Sequence, residues 1–270
     1  MPLSIKDYLI VIAHSLAFFL FSYLFVWILQ SLVTILAAYH LDVPTVWHID
    51  RVDFMIPERA WDFSRVRLIF SSGPLFSLIF GIVSLIIYNQ VMMFNGLLKQ
   101  FFLWAFFHGW TNFWGALFVG TLTGRGFGHV VEWLYLQDTA RLLISMSALG
   151  MLFYGGALAA RPAMITANSY LNKLSFDGRG LWLTAQMLIP AIVGLFISTM
   201  LAWPGELVLR LPPYTILIMI IPVYMRRQQL PDIYFDEEPI KIKLSYKFVV
   251  SALAFIALMR ILLHNGIRFG

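Results

Sequence analysis

Cysteine is absent from the 270 residues, which excludes disulfides, thiolate metal sites and a cysteine nucleophile. Charge is scarce as well. Asp, Glu, Lys and Arg make up 12% of the chain, against about 25% in an ordinary soluble domain. No internal repeat and no low-complexity tract is found, which sets aside solenoids and flexible linkers. Enzyme signatures are missing too. No HExxH places two imidazoles and a general base on one helix face, and no GxSG offers a serine nucleophile. The GRGFG run at 124–128 imitates a phosphate loop but lacks the Lys-Ser/Thr that would follow. All nine Asp lie outside the long charge-free runs, so an intramembrane aspartyl pair is excluded.

Apolar sequence fills the space these absences leave. Hydrophobic residues are 60% of the chain and mean hydropathy is +0.79. Residues 8–41, 68–98, 100–124, 142–160 and 180–205 contain no charged side chain, and about 20 apolar residues suffice to cross a bilayer. Spans are expected at 8–38, 67–90, 98–122, 141–160, 180–203 and 246–265. A further element at 207–225 carries Arg210 and then Pro212-Pro213, which suits a broken or re-entrant helix. The count is therefore six or seven crossings. The net charge of +5 falls between the spans, where positive-inside bias and anionic lipid account for it without nucleic acid. Trp47, Trp61, Trp133 and Trp203 sit near span ends and read as interface anchors.

Polar groups in hydrocarbon are costly, so they mark candidate sites. His108, Thr111, Asn112 and Gly115 share one face of the third span at spacings of three and four. His108 and Asn112 could carry a proton, hold a headgroup or simply bond neighbouring helices. His14 and His129 could join them, but no ligand set emerges, and no metal and no cofactor are expected. In the second span Gly73, Ser77, Gly81, Ser84 and Tyr88 form a stripe of mostly small residues. Such a seam lets two helices approach closely, because lipid supplies no hydrophobic drive for their association.

Three places in order resemble the site-2 protease (M50) family of intramembrane zinc metalloproteases. The family pattern is HExxHxxxAxxxG followed by a valine-rich strand. Here Gln30-Ser31-Leu32-Val33-Thr34 leads to Ala38 and Asp42, and VWHIDRVDFMIP at 46–57 resembles the β segment that follows. SRVRLIFSSGPLFSLIFG at 64–81 is similar to the family's Gly-Pro helix, with Pro74 after Gly73 and Ser77 where Asn is common. Asn112 and then Leu122-Thr123-Gly124 occupy the region of the NxxP…LDG run, without its proline or its aspartate. Gln30, Ser31 and Thr34 stand where the family has His, Glu and His. The resemblance thus implies the fold without the zinc ligands or the general base.

The expectation is an all-α polytopic integral membrane protein, one membrane domain over 1–270. It has a site-2-protease-like three-helix core at about 20–135, a short β-like segment after the first helix, and additional helices at about 140–270. Its expected role is non-catalytic, pseudoprotease-like binding of a transmembrane partner or client, as an assembly or regulatory subunit. Gln30, Ser31, Thr34, His108 and Asn112 would do the binding, and Gly73, Pro74, Ser77 and Gly81 the helix packing. The alternative is an active membrane enzyme or transporter that handles lipid or quinone through His108 and Asn112. Expected partners are membrane lipid and a transmembrane protein, not nucleic acid. The cell inner or plasma membrane is the expected location.

Overall fold

Ser4 starts the first helix with a reciprocal cap: the Asp7 N–H donates to its hydroxyl and its own N–H donates to the Asp7 carboxylate. The computed structural model describes residues 4–93, 96–201, 211–229, 233–235 and 243–270. Helix α1 (Ile5–His40) has 36 residues and so runs about 54 Å, well beyond a hydrocarbon core of about 30 Å. Asp42, with φ of 56°, turns the chain into a hairpin of β1 (Thr45–Trp47) and β2 (Val52–Phe54). Arg51 closes the turn by donating to Asp53 at 2.9 Å.

Asp62 then caps α2 (Phe63–Val91), accepting from the Arg65 N–H at 2.9 Å. α3 (Leu98–Trp110), a π turn at Thr111–Gly115 and α4 (Ala116–Thr123) form one interrupted rod. α5 (Gly128–Glu132) and α6 (Asp138–Ile165) follow, then β3 (Lys173–Leu174). α7 (Arg179–Leu183) passes through a second π turn into α8 (Ile189–Leu201). α9 (Leu211–Tyr214) and α10 (Ile216–Arg226) precede β4 (Ile233–Tyr234), which pairs with β3. α11 (Tyr246–Leu262) leads to β5 (Ile267–Phe269), which pairs antiparallel with β1. The larger sheet has the order β2-β1-β5, so β2 is an edge strand.

The core gathers around α3. Leu103, Trp104, Phe106 and Phe107 are each 0% exposed, because α3 is enclosed by α1, α2 and α6. α2 instead turns Ile79, Ile82, Val83 and Ile86 outward, the disposition of a lipid-facing stripe. The fold is that of a multi-pass helical protein. Among the described residues four helical segments are long and apolar enough to cross a membrane: Ile5–His40, Phe63–Val91, Asp138–Ser169 and Arg179–Leu201.

They fall on four of the expected spans. At 98–122 the chain is helical, but the π turn interrupts it and His108, Thr111 and Asn112 dilute its hydropathy. At 246–265 the helix is the 17-residue α11, and the apolar element Leu211–Arg226 is a short broken helix. Its expected start at 207–210, like Trp203 and much of 226–245, lies outside the described residues. One expectation is corrected. Trp47 is 7% exposed and packs with Ile35, Ile49, Met259 and Leu263; it is a core residue under the sheet, not an interface anchor.

Candidate functional site: a polar-lined cavity between three helices

The seam on α2 sets the geometry. Helices α1 and α2 run antiparallel, with Ser77 beside Gln30 and Gly73 beside Thr34. Ser77 Oγ donates to Gln30 Oε1 at 2.7 Å. A Cβ at Gly73 would stand 2.9 Å from Gln30 Cγ, so only glycine admits α1 this closely. Two turns further, a Cβ at Gly81 would lie 3.2 Å from Gly109 Cα, and α3 docks on the same stripe. The small residues therefore hold two helices at once.

The π turn has a local cause. Thr111 Oγ1 donates to the carbonyls of Phe107 at 2.9 Å and His108 at 3.1 Å, competing with the helical ladder as a mid-helix threonine does. Gly115 completes the turn, since a Cβ there would stand 2.9 Å from the Pro212 carbonyl. Wide turns of this kind recur at functional sites. Here the turn carries Asn112 to a cavity of about 770 Å³, within the range of ligand pockets.

Helix α1 lines this cavity with Tyr23, Trp27, Gln30, Ser31 and Thr34. Opposite stand Asn112, Ala116 and Val119, and α2 contributes Ile69, Phe70 and Pro74. The mouth is formed by residues 50–54 of the hairpin, Trp61, the loop from Arg125 to Phe127, His129 and Pro212-Pro213. Two polar atoms on the α1 wall are buried without a hydrogen-bond partner among the described residues: Trp27 Nε1 and Ser31 Oγ. A buried donor left unpaired costs about 1–3 kcal/mol, so an acceptor that reached either group would be favoured. At the mouth Arg51 is engaged by Asp50 and Asp53, and His129 lies 3.4 Å from Glu132.

The free edge of β2 also faces the opening. The His48 N–H donates to the Arg51 carbonyl and the Met55 N–H to that of Pro44, while Val46 stands opposite Asp53. Antiparallel pairs alternate, so the N–H and C=O groups of Val52 and Phe54 point away from β1. Both residues line the cavity.

Of the residues singled out from sequence, the structure brings Gln30, Ser31, Thr34, Pro74 and Asn112 to one cavity and puts Gly73, Ser77 and Gly81 in the contacts behind it. It does not bring His108 there. His108 is 1% exposed, donates from Nε2 to the Phe19 carbonyl at 3.1 Å and packs on the rings of Phe19 and Tyr23. His108 and Asn112 therefore share no opening. His14 is elsewhere, bonded to Tyr170 at 3.0 Å. Among the described residues no group of three or more His, Asp or Glu side chains is placed to hold a metal ion. The sequence did not single out Trp27 or the edge of β2, and the GRGFG run at 124–128, set aside there as a phosphate loop, contributes Arg125 to Phe127 to the mouth beside His129. Trp27 had a legible signal, one helical turn before Gln30 and Ser31.

No family model, no curated protein and no solved structure matches the chain.

Proposed function

We propose that this chain is a non-catalytic membrane protein that holds an extended segment of a transmembrane partner or client in the cavity, as an assembly or regulatory subunit of a membrane complex. The observation that carries the proposal is the free edge of β2 lying on the same opening as the polar stretch of α1. Strand addition to an exposed edge is a recurrent way to bind an extended peptide. Length supports it. From Tyr23 to Thr34 the cavity follows about 16 Å of α1, the span of about five extended residues.

The non-catalytic part rests on Gln30, Ser31 and Thr34 standing where the resembled site-2 protease family carries its ligands and base. In this reading α1, α2 and the α3–α4 rod form a degenerate core of that family. The remaining helices complete six or seven crossings of the cell inner or plasma membrane. Nothing in the site favours lipid or quinone chemistry at His108, whose ring nitrogen is already spent on Phe19.

The test is site-specific photo-cross-linking in cells. A photoreactive residue at Thr34 or Val52 should yield an adduct with a transmembrane protein, and one at Leu36, which is 64% exposed, should not. Val52→Pro removes only an outward N–H and leaves the β1–β2 pairs, so it should abolish the adduct at Thr34 while the protein still inserts. The triple change Gln30→Ala, Thr34→Ala, Asn112→Ala should abolish the adduct at Val52. Identical adducts from Leu36, or an undiminished adduct in Val52→Pro, would overturn the proposal.

A further inference from the structure

The cavity has a second chemical character, which the partner-segment reading leaves unused. Its walls are aromatic and aliphatic, from Trp61 and Phe70 to Val119, and its donors are arranged by depth. With α1 centred on the bilayer, Ser31 lies about 13 Å from the midplane, close to the edge of a ~15 Å hydrocarbon half-thickness. The ester carbonyls of a glycerolipid lie at that boundary. Ser31 is 1% exposed and its hydroxyl has no partner among the described residues. Above it, on the water side, Arg125 stands at the mouth. Among the described residues no carboxylate pairs with it, whereas Arg51 beside it is neutralised by Asp50 and Asp53.

A cation at the surface, buried donors at ester depth and an apolar channel below match the parts of one molecule in order. We propose that the cavity holds an anionic glycerophospholipid of the surrounding bilayer: the phosphate meets Arg125, ester carbonyls accept from Ser31 and Asn112, and an acyl chain runs along α1 towards Tyr23. The ordering argues against a neutral hydrocarbon occupant, which would leave Ser31 and Trp27 unpaired. That a client segment enters by displacing this lipid rests on the function proposed above; the lipid site itself does not.

The experiment uses the full chain in vesicles of phosphatidylcholine and phosphatidylglycerol, with a trace of either lipid carrying a photoreactive acyl chain. The expected result is adducts on residues 23–34 and 69–74, favouring phosphatidylglycerol over phosphatidylcholine by about fivefold, the worth of one basic residue near an anionic headgroup. Arg125→Gln should remove that preference and keep the chain adducts. Ala116→Trp, which fills the channel from the opposite wall, should abolish cavity adducts and spare those on the outward residues Ile79, Ile82 and Ile86, which also report a folded, inserted protein. Labelling confined to the outward residues, or a preference unchanged by Arg125→Gln, would overturn the lipid site. Failure of the cellular cross-linking with lipid labelling intact would overturn the client reading alone.

Discussion

The backbone N–H of Ser245 donates to Nε2 of His14 at 2.8 Å, tying the start of α11 to α1. The other ring nitrogen faces the Tyr170 hydroxyl at 3.0 Å, which also accepts from the Gln100 amide. Because the Ser245 N–H can only donate, Nε2 carries no proton there. The imidazole is neutral, with its hydrogen on Nδ1 and directed at Tyr170. Phe18 stacks on Phe248 at 4.0 Å one turn away, so polar and aromatic contacts pin the same end of α11.

His14→Ala should therefore loosen that end before anything else. The unpaired groups it leaves should cost about 1–3 kcal/mol, read as a lower thermal midpoint in detergent. Amide exchange by mass spectrometry should accelerate over residues 245–249. His14→Gln, whose amide oxygen can take the Ser245 proton, should recover much of the protection. Equal exchange in all three proteins would mean that the aromatic stack alone holds α11.

Gly81 and Gly109 give a sharper test of packing. A Cβ at Gly109 would lie 2.8 Å from Gly81 Cα, and the Ser77 carbonyl is nearer still. Since backbone cannot swing aside as a side chain does, Gly109→Ala should destabilise by about 1–3 kcal/mol, the usual range for overpacking. Gly81→Leu should prevent folding. Ile79→Leu, on the outward face with Ile79 60% exposed, should be neutral. Full stability of Gly109→Ala in a thermal melt would show that α2 and α3 can move apart without loss.

A third prediction uses the absence of native cysteine. Thr34 and Asn112 line one cavity, so Thr34→Cys with Asn112→Cys should be joined by a short bismaleimide. Leu36→Cys with Asn112→Cys should not. Added lipid or partner segment should slow the first reaction. Linking of both pairs at one rate would mean that helix motion, not cavity geometry, sets the outcome.

The long helices were legible because hydrocarbon imposes a simple demand: every backbone group satisfied internally and every outward side chain apolar. That reads directly from the charge-free runs over α1, α2, α6 and α8. Gln30, Ser31 and Thr34 stood out because they stand where the resembled family carries its ligands and base, and Asn112 because polar residues are conspicuous against such a background. His108 stood out for the same reason, but its partner is the Phe19 carbonyl, and a backbone acceptor leaves no mark in composition. The π turn was hidden because Thr111 and Gly115 act through bonds to carbonyls and through Pro212, a hundred residues on. Trp47 misled because tryptophan near a span end is ambiguous until the sheet above it is known. That sheet depends on β5, which local pattern cannot assign to β1.

The pairing of β1 with β5 joins Thr45–Trp47 to Ile267–Phe269, and the ribosome sets its clock. During synthesis β1 can zip to β2 at once, yet its other edge has no mate for some 220 residues. At roughly 5–20 residues per second, that edge stays open for on the order of ten seconds or more. Throughout that interval the nascent hairpin has two bare edges at the bilayer surface, and only one of them is to be closed by the chain itself. A chaperone or insertase that shields a strand edge would have its greatest effect in that window, and a pause before Ile267 would prolong it.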